Sequence, residues 1–311
     1  MKKFTDICKM SQKEVKSYMR QYLTAKNYKP IIGDGFLYAK GDVPVLLVAH
    51  MDTVHKEQCN KFIWNGDKIS AKEGIGGDDR CGIFIIMNIV NSLHCSVLLC
   101  EDEEVGGIGA SEFTKTEHIK NLGVNYMIEF DRKGHNDAVF YDCDNPEFEK
   151  FVINNTGFKT AHGSFSDISY LAPAAEIAAV NLSSGYYNAH TTSEYVMYNE
   201  MMNVVEVGKK LIKAECNEPF KYIKRKYTKD YAYSLFDNWE DEYFDGYSMY
   251  VDKKKKKKVD FDLELEVVYM NMYGYEEVEY VTGRTKEECW AKFFLTCTNV
   301  SFDNITDYTF M

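Results

Sequence analysis

Apolar runs that stop abruptly at a histidine or a cluster of acids recur along the first part of this chain, and that recurrence narrows the fold more than any other feature. Val43–Ala49 is a continuous apolar run with Pro44 near its start, and it ends in His50-Met51-Asp52-Thr53-Val54. Ser96–Cys100 ends in Glu101-Asp102-Glu103-Glu104-Val105-Gly106-Gly107, and Val124–Phe130 ends in Asp131. Short apolar runs bounded in this way fit strands buried on both faces, the kind found in parallel sheets. Between the first two lies Gly76-Gly77-Asp78-Asp79, followed by Cys81–Val90, apolar nearly all round and read as a buried helix. The steps His50 to Asp78, Asp78 to Glu104 and Glu104 to Asp131 are 28, 26 and 27 residues. Steps of that size suit strand–helix units that return the chain to one sheet edge.

The remaining elements agree. Ser11 and Glu14 have capping-box spacing at the head of a helix to Leu23, with Val15, Tyr18, Met19 and Tyr22 on one face. Pro30 and Gly33-Asp34-Gly35 open a strand region, and Phe62–Ala71 reads as a hairpin about Asn65-Gly66-Asp67. Ala175–Leu182 is a further strand, and Asn199–Ala214 a helix with Met201, Val204, Val205, Leu211 and Ile212 in its stripe. Gly208 falls on that face, where a missing side chain lets another element approach closely. Residues 1–215 are therefore expected to form an α/β domain with a mostly parallel central sheet flanked by helices. Composition shifts after Cys216, and 216–258, with the lysine run Lys253–Lys258, reads as a connector. Residues 259–311 read as a small α+β module of ββαβ type. There Phe261, Leu263, Leu265 and Val267 alternate with acids, Tyr275–Val281 is a second strand, and Thr285 with Glu288 caps a helix burying Trp290, Phe293 and Phe294.

Composition excludes several classes. Hydrophobic residues make up 45% and charged residues 27%, as in a globular chain, and the formal net charge of −11 disfavours nucleic acid or an anionic membrane as partner. No apolar run is long enough to span a bilayer, and Met1–Met10 lacks the apolar segment of a secretory signal. Nine cysteines, an odd number with no C-x-x-C pair, point to reduced thiols and a cytoplasmic protein.

Five pieces carry chemistry. His50 is a good zinc ligand, and Asp52, two residues away, can orient it. An Asp after Gly76-Gly77 can bridge two cations with its two oxygens. Four successive acids at Glu101–Glu104 repel one another unless positive charge sits among them. Asp131 ends a strand, with Asp137 and Asp142 close enough in sequence to substitute, and His190 lies in Asn188-Ala189-His190-Thr191. Open α/β sheets bind ligands beyond the carboxyl ends of their strands, so two His and three carboxylates can converge there around two divalent ions. His55, His94, His118 and His135 read as structural or exposed, and Cys95 and Cys100 as core. His162, in Ala161-His162-Gly163-Ser164-Phe165-Ser166-Asp167, is a weaker candidate for the substrate pocket.

In combination and order, HMDTV, GGDDRCG, EDEEVGG, the strand-end Asp131 and the NAHT histidine resemble the co-catalytic di-zinc exopeptidases, the superfamily of peptidase T, glutamate carboxypeptidase and the zinc aminopeptidases. The resemblance covers roughly residues 40–215 and implies a zinc-exopeptidase-like fold. It implies that His50, Asp78 and Asp131 hold one metal and Asp78, Glu104 and His190 the other, with Asp78 rather than Asp79 bridging. It implies that Asp52 orients His50 and that Glu103 is the general base for a metal-bridged hydroxide attacking a peptide bond. Two divalent ions are expected, zinc first, with cobalt or manganese able to fill the same donor set. Peptidase T-like members insert a large domain between the equivalents of Asp131 and His190; the 59 residues here leave no room for it, so the layout is more similar to the single-domain aminopeptidase branch. The alternatives sharing these motifs are an amidohydrolase or deacylase, a carboxypeptidase, and a non-catalytic metal-binding relative. Up to residue 215 the only arginines are Arg20, Arg80 and Arg132, while Glu101, Asp102, Asp137 and Asp142 lie near the expected ligands. An acidic pocket suits the ammonium end of a short peptide, which favours an aminopeptidase.

Overall fold

The computed structural model describes residues 3–55, 58–163, 165–225, 263–270, 276–283 and 305–310, with Cys289 and Phe293. Two compact units are present, Met1–Lys226 and Tyr227–Met311.

The first unit begins with helices α1 (Phe4–Cys8) and α2 (Gln12–Thr24). The capping box expected for α2 is formed: the Glu14 amide donates to Ser11 Oγ and the Ser11 amide donates to Glu14 Oε2 at 2.9 Å. The chain continues through β1 (Ile31–Gly33), β2 (Phe36–Ala39), β3 (Val43–His50), β4 (Phe62–Asn65), β5 (Lys68–Ala71), α3 (Gly77–Ile89), β6 (Cys95–Cys100), α4 (Ile108–Thr114) and α5 (Glu117–Lys120). Next come β7 (Tyr126–Arg132), β8 (Asp137–Val139), α6 (Pro146–Thr156), β9 (Lys159–Ala161), α7 (Ile168–Ala175), β10 (Ala179–Ser183), β11 (Tyr186–Tyr187), β12 (Tyr195–Met197) and α8 (Tyr198–Lys213).

Eight strands form one sheet in the order β1-β2-β6-β3-β7-β10-β8-β9. Its centre, β6-β3-β7-β10, is parallel throughout, so four carboxyl ends share one edge. Strand pleat splits β3 between two cores: Val45, Leu47 and Ala49 face one, Leu46 and Val48 the other. Residues of α2, α3 and α8 cover the first core, and residues of α4 and α7 the second. This double cover is why the strand sequences are apolar without alternation. Each fully buried Leu or Val contributes about 1.5–3 kcal/mol relative to exposure. Gly208 of α8 packs where expected: a Cβ there would lie 3.1 Å from Ile89 Cδ1 and 3.2 Å from Phe130 Cζ.

A second sheet, β11-β12-β5-β4, joins the Phe62–Ala71 hairpin to the segment around His190. The strand expected over Ala175–Leu182 starts later, at Ala179. Ala175 closes α7, and Glu176 ends that helix in a left-handed conformation with φ 57°. Small apolar residues on both sides of Glu176 read alike for helix and strand, so the sequence pattern did not separate them.

Residues 217–225, assigned by sequence to the connector, are bonded into the first unit. The Phe220 amide donates to Asn125 O, its carbonyl accepts from Ala178, and its ring lies 5.2 Å from Phe148 and 5.1 Å from Phe151. The second unit contains an antiparallel sheet, β14-β13-β15, of β13 (Leu263–Met270), β14 (Glu276–Gly283) and β15 (Ile305–Phe310). Leu265, Val267 and Tyr269 are buried with Cys289 and Phe293, and Tyr269 meets Phe293 edge to face at 5.5 Å. Phe261, Thr285, Glu288, Trp290, Phe294 and the lysine run lie outside the described residues. Among those described, no helix is long and apolar enough to cross a membrane.

Candidate metal centre

The carboxyl edge of the central strands brings five of the candidate residues together. His50 is the last residue of β3, paired in register with Cys100 of β6, so the acidic segment after β6 starts beside it. Asp131 lies in β7, the other neighbour of β3. Asp78 comes from the head of α3 and His190 from the turn between β11 and β12.

Two groups of three result, His50–Asp78–Asp131 and Asp78–Glu104–His190, with the potential ligand atoms of each within 4.8 Å of one another. Asp78 belongs to both: its Oδ1 lies 3.0 Å from His50 Nε2 and its Oδ2 3.2 Å from His190 Nε2. His50 Nε2 is 3.6 Å from Asp131 Oδ1, and His190 Nε2 is 3.0 Å from Glu104 Oε2. Asp79, joined to Asp78 by a cis peptide bond, turns away and accepts the Gly82 amide at 2.8 Å.

Neighbouring groups fix these side chains. Asp52 Oδ1 faces His50 Nδ1 at 3.1 Å and accepts the Glu103 amide at 3.0 Å, while Oδ2 accepts the Glu104 amide at 3.0 Å. One carboxylate thus contacts both the first histidine and the acidic loop. Asn181 of β10 brackets Asp131, accepting its amide at 2.8 Å and donating to its carbonyl at 3.0 Å, and Tyr186 donates to Asp131 Oδ1 at 3.2 Å.

The electrostatics are those of crowded carboxylates. Burial, then the proximity of Asp78, pushes both Asp131 and Asp79 well above the usual carboxylate range, and burial, then Asp167, does the same for Glu129. Burial raises Glu103 to about 8 against the opposing pull of His50. Burial works against a charge on His50, but Asp131, Asp52 and Asp78 outweigh it and raise its pKa. Hydrogen bonds to Asp78 and Glu104 raise His190 to about 10. Glu104 Oε1 is buried without a hydrogen-bond partner, and the mixed imidazole and carboxylate set is one that zinc accepts. The donor set therefore fits two divalent ions.

Several residues noted in the sequence serve other purposes. Glu101 is paired with Lys16 of α2, and Asp102 with Gln12, whose amide nitrogen donates to Asp102 Oδ1 at 3.1 Å. Arg80 is buried and donates to the carbonyls of Met51 and Met10 rather than to Asp79. Arg132 faces Asp137 at 3.6 Å. The acids Glu101 and Asp102 are thus tied to α2, and they lend no weight to an ammonium-binding pocket. His162 is exposed, His94 pairs with Asp42, and His135 meets the Tyr187 hydroxyl. Sequence reasoning missed Asn181, Tyr186 and Glu194, all buried polar or amphipathic residues within otherwise ordinary segments.

No protein-family model matches the chain, and no curated protein matches it significantly. Solved structures do match. An aminopeptidase, PepT, from Bacillus cereus superposes with a TM-score of 0.58 at 13% identity, over 67% of this chain and 96% of its own. A tripeptidase from Staphylococcus aureus gives 0.55 at 13% identity, over 68% and 96%. An aminopeptidase from the archaeon Desulfurococcus kamchatkensis gives 0.53 at 14% identity, over 68% and 95%. The chain has the mixed α/β fold of these structures.

Proposed function

We propose that this chain is a metal-dependent peptidase that removes residues from the N-terminus of short peptides. The observation that carries the reading is the pair of three-residue donor groups sharing Asp78 at the carboxyl edge of a parallel sheet. In it, His50, Asp78 and Asp131 hold one divalent ion and Asp78, Glu104 and His190 the other, zinc being the best match to the donors. When bound, the pair polarises the scissile carbonyl and acidifies the attacking water. Glu103 takes the proton of that water as its oxygen adds to the carbonyl carbon, and delivers it to the amine as the C–N bond breaks. Asp52 keeps His50 and the Glu103 and Glu104 backbone in register throughout. The N-terminal preference rests on the likeness to proteins named aminopeptidases and a tripeptidase. Seven of the eight described cysteines are buried and all eight are free, which suits a reducing, cytoplasmic setting.

The test is a panel of dipeptides, tripeptides and N-acyl amino acids assayed with added zinc or cobalt. Acetylating the N-terminus of a good substrate should abolish cleavage, and amidating its C-terminus should matter little. The opposite pattern moves the assignment to a carboxypeptidase or deacylase, and no turnover on any member refutes the peptidase reading.

A further inference from the structure

Glu194 is fully buried, a costly place for a carboxylate, and apart from a contact with His55 its bonds run to the two segments that carry Asp78 and His190. Its Oε2 accepts the Gly76 amide at 2.8 Å and His55 Nε2 at 2.8 Å, and its Oε1 accepts the Asp78 amide at 3.0 Å. A carboxylate only accepts, so His55 carries its proton on Nε2. The surroundings are shaped for this contact. A Cβ on Gly77 would lie 3.2 Å from Glu194 Oε1 and 2.8 Å from both Tyr186 Cβ and Val196 Cγ2. A Cβ on Gly74, which has φ +93°, would strike the His55 ring at 2.1 Å. Glycine at both positions lets the loop close over the carboxylate.

Glu194 also closes the turn that presents His190. Its own amide donates to Thr191 O at 3.2 Å, Thr191 Oγ1 donates to Asn188 O at 2.8 Å, and His190 sits in the left-handed region at φ 64° with its side chain about half exposed. Its imidazole meets Asp78 at 3.2 Å and Glu104 at 3.0 Å. Four residues along, Glu194 is the buried anchor joining its turn to the Asp78 loop.

We propose that Glu194, backed by His55, is a positioning residue that sets the distance between His190 and Asp78 and thereby tunes the affinity of the second cation site selectively. This rests on the ligand assignment above. The second site takes both Asp78 and His190, so a slip between their segments changes its span directly. The first site takes only Asp78 from these segments, and His50 and Asp131 come from adjacent sheet strands.

Glu194→Gln is close to isosteric but cannot satisfy both sides of the loop. With the amide oxygen toward Gly76 and His55, its NH2 faces the Asp78 N–H; with the oxygen toward Asp78, the NH2 faces the Gly76 N–H. His55→Gln removes one donor and leaves both backbone bonds. Metal-free parent and variants would be titrated with cobalt(II) against a competing chelator, following the visible absorption of each equivalent, alongside thermal unfolding of the metal-free forms. In Glu194→Gln the second equivalent should weaken by about 10–100-fold with an altered cobalt spectrum, the first should change by less than about 3-fold, and His55→Gln should fall between variant and parent. Second-equivalent affinity like the parent's, or both equivalents weakening together in proportion to a fall in thermal stability, would overturn the positioning role. A parent that fails to bind two equivalents would overturn the ligand assignment itself, a separate and recognisable failure.

Discussion

Replacing Asp52 with Asn should uncouple the first histidine from the acidic loop while changing little else. Asp52 accepts three hydrogen bonds with two oxygens: from His50 and the Glu103 amide on one, and from the Glu104 amide on the other. An Asn side chain has one acceptor oxygen. If that oxygen keeps His50 and Glu103, the NH2 opposes the Glu104 N–H and leaves a half-buried donor without a partner, at a cost of about 1–3 kcal/mol. For a unit of this size, roughly 2–4 °C of Tm accompanies each kcal/mol, so the metal-free variant should melt roughly 2–12 °C lower. Loss of the carboxylate behind a ligating histidine should also weaken metal binding about 10–100-fold. Differential scanning fluorimetry on metal-free protein gives the first quantity, and zinc titration against a chromophoric chelator the second. A variant with the parent's Tm and the parent's zinc affinity would refute the reasoning that Asp52 aligns both segments.

Glu103→Gln should bind both metals as the parent does and lose most turnover, whereas Glu104→Gln should weaken the second metal; steady-state kinetics with metal analysis separates the two, and full activity in both would contradict the roles assigned. Chelation should destabilise the protein, because zinc at 100 times Kd adds about 2.7 kcal/mol per site, or roughly 10–20 °C in Tm for two sites; a Tm indifferent to chelator and zinc would count against a structural metal pair. Truncation after Lys226 should leave a soluble, metal-loading unit, whereas truncation after Cys216 should cost up to about 3 kcal/mol through loss of Phe220 from its aromatic cluster; equal melting temperatures would show that residues 217–226 add nothing. Gly208→Leu should destabilise by about 1–3 kcal/mol, since its Cβ alone meets Ile89 and Phe130 at 3.1 and 3.2 Å; denaturant unfolding measures it, and an unchanged midpoint would contradict the packing.

What could be read from the sequence was local or periodic. The Ser11–Glu14 capping box, the Asn65-Gly66-Asp67 turn and the apolar strands at β3, β6 and β7 each declare themselves within a few residues. The candidate residues could be picked out because most of them stand at or near the end of an apolar strand or at the head of a helix, places where a parallel sheet gathers side chains at one edge. What escaped was pairing over distance. Glu194 meets Gly76 across 118 residues, and Asn181 meets Asp131 across 50. Nothing near Glu194 in sequence marks it as buried. Likewise Glu101 resembles its acidic neighbours until the fold places Lys16 beside it. The stretch Ala175–Leu182 failed for another reason: small apolar residues fit helix and strand equally, and only Glu176 in a left-handed conformation divides them.

The central claim, that two cations share Asp78, is tested most directly by crystallography of zinc-loaded protein with anomalous data collected on both sides of the zinc absorption edge. The account predicts two anomalous peaks per chain. Both should contact Asp78, one also touching His50 and Asp131, the other Glu104 and His190, at roughly 3.5–4 Å separation. A single peak, or two peaks that do not meet at Asp78, would contradict it.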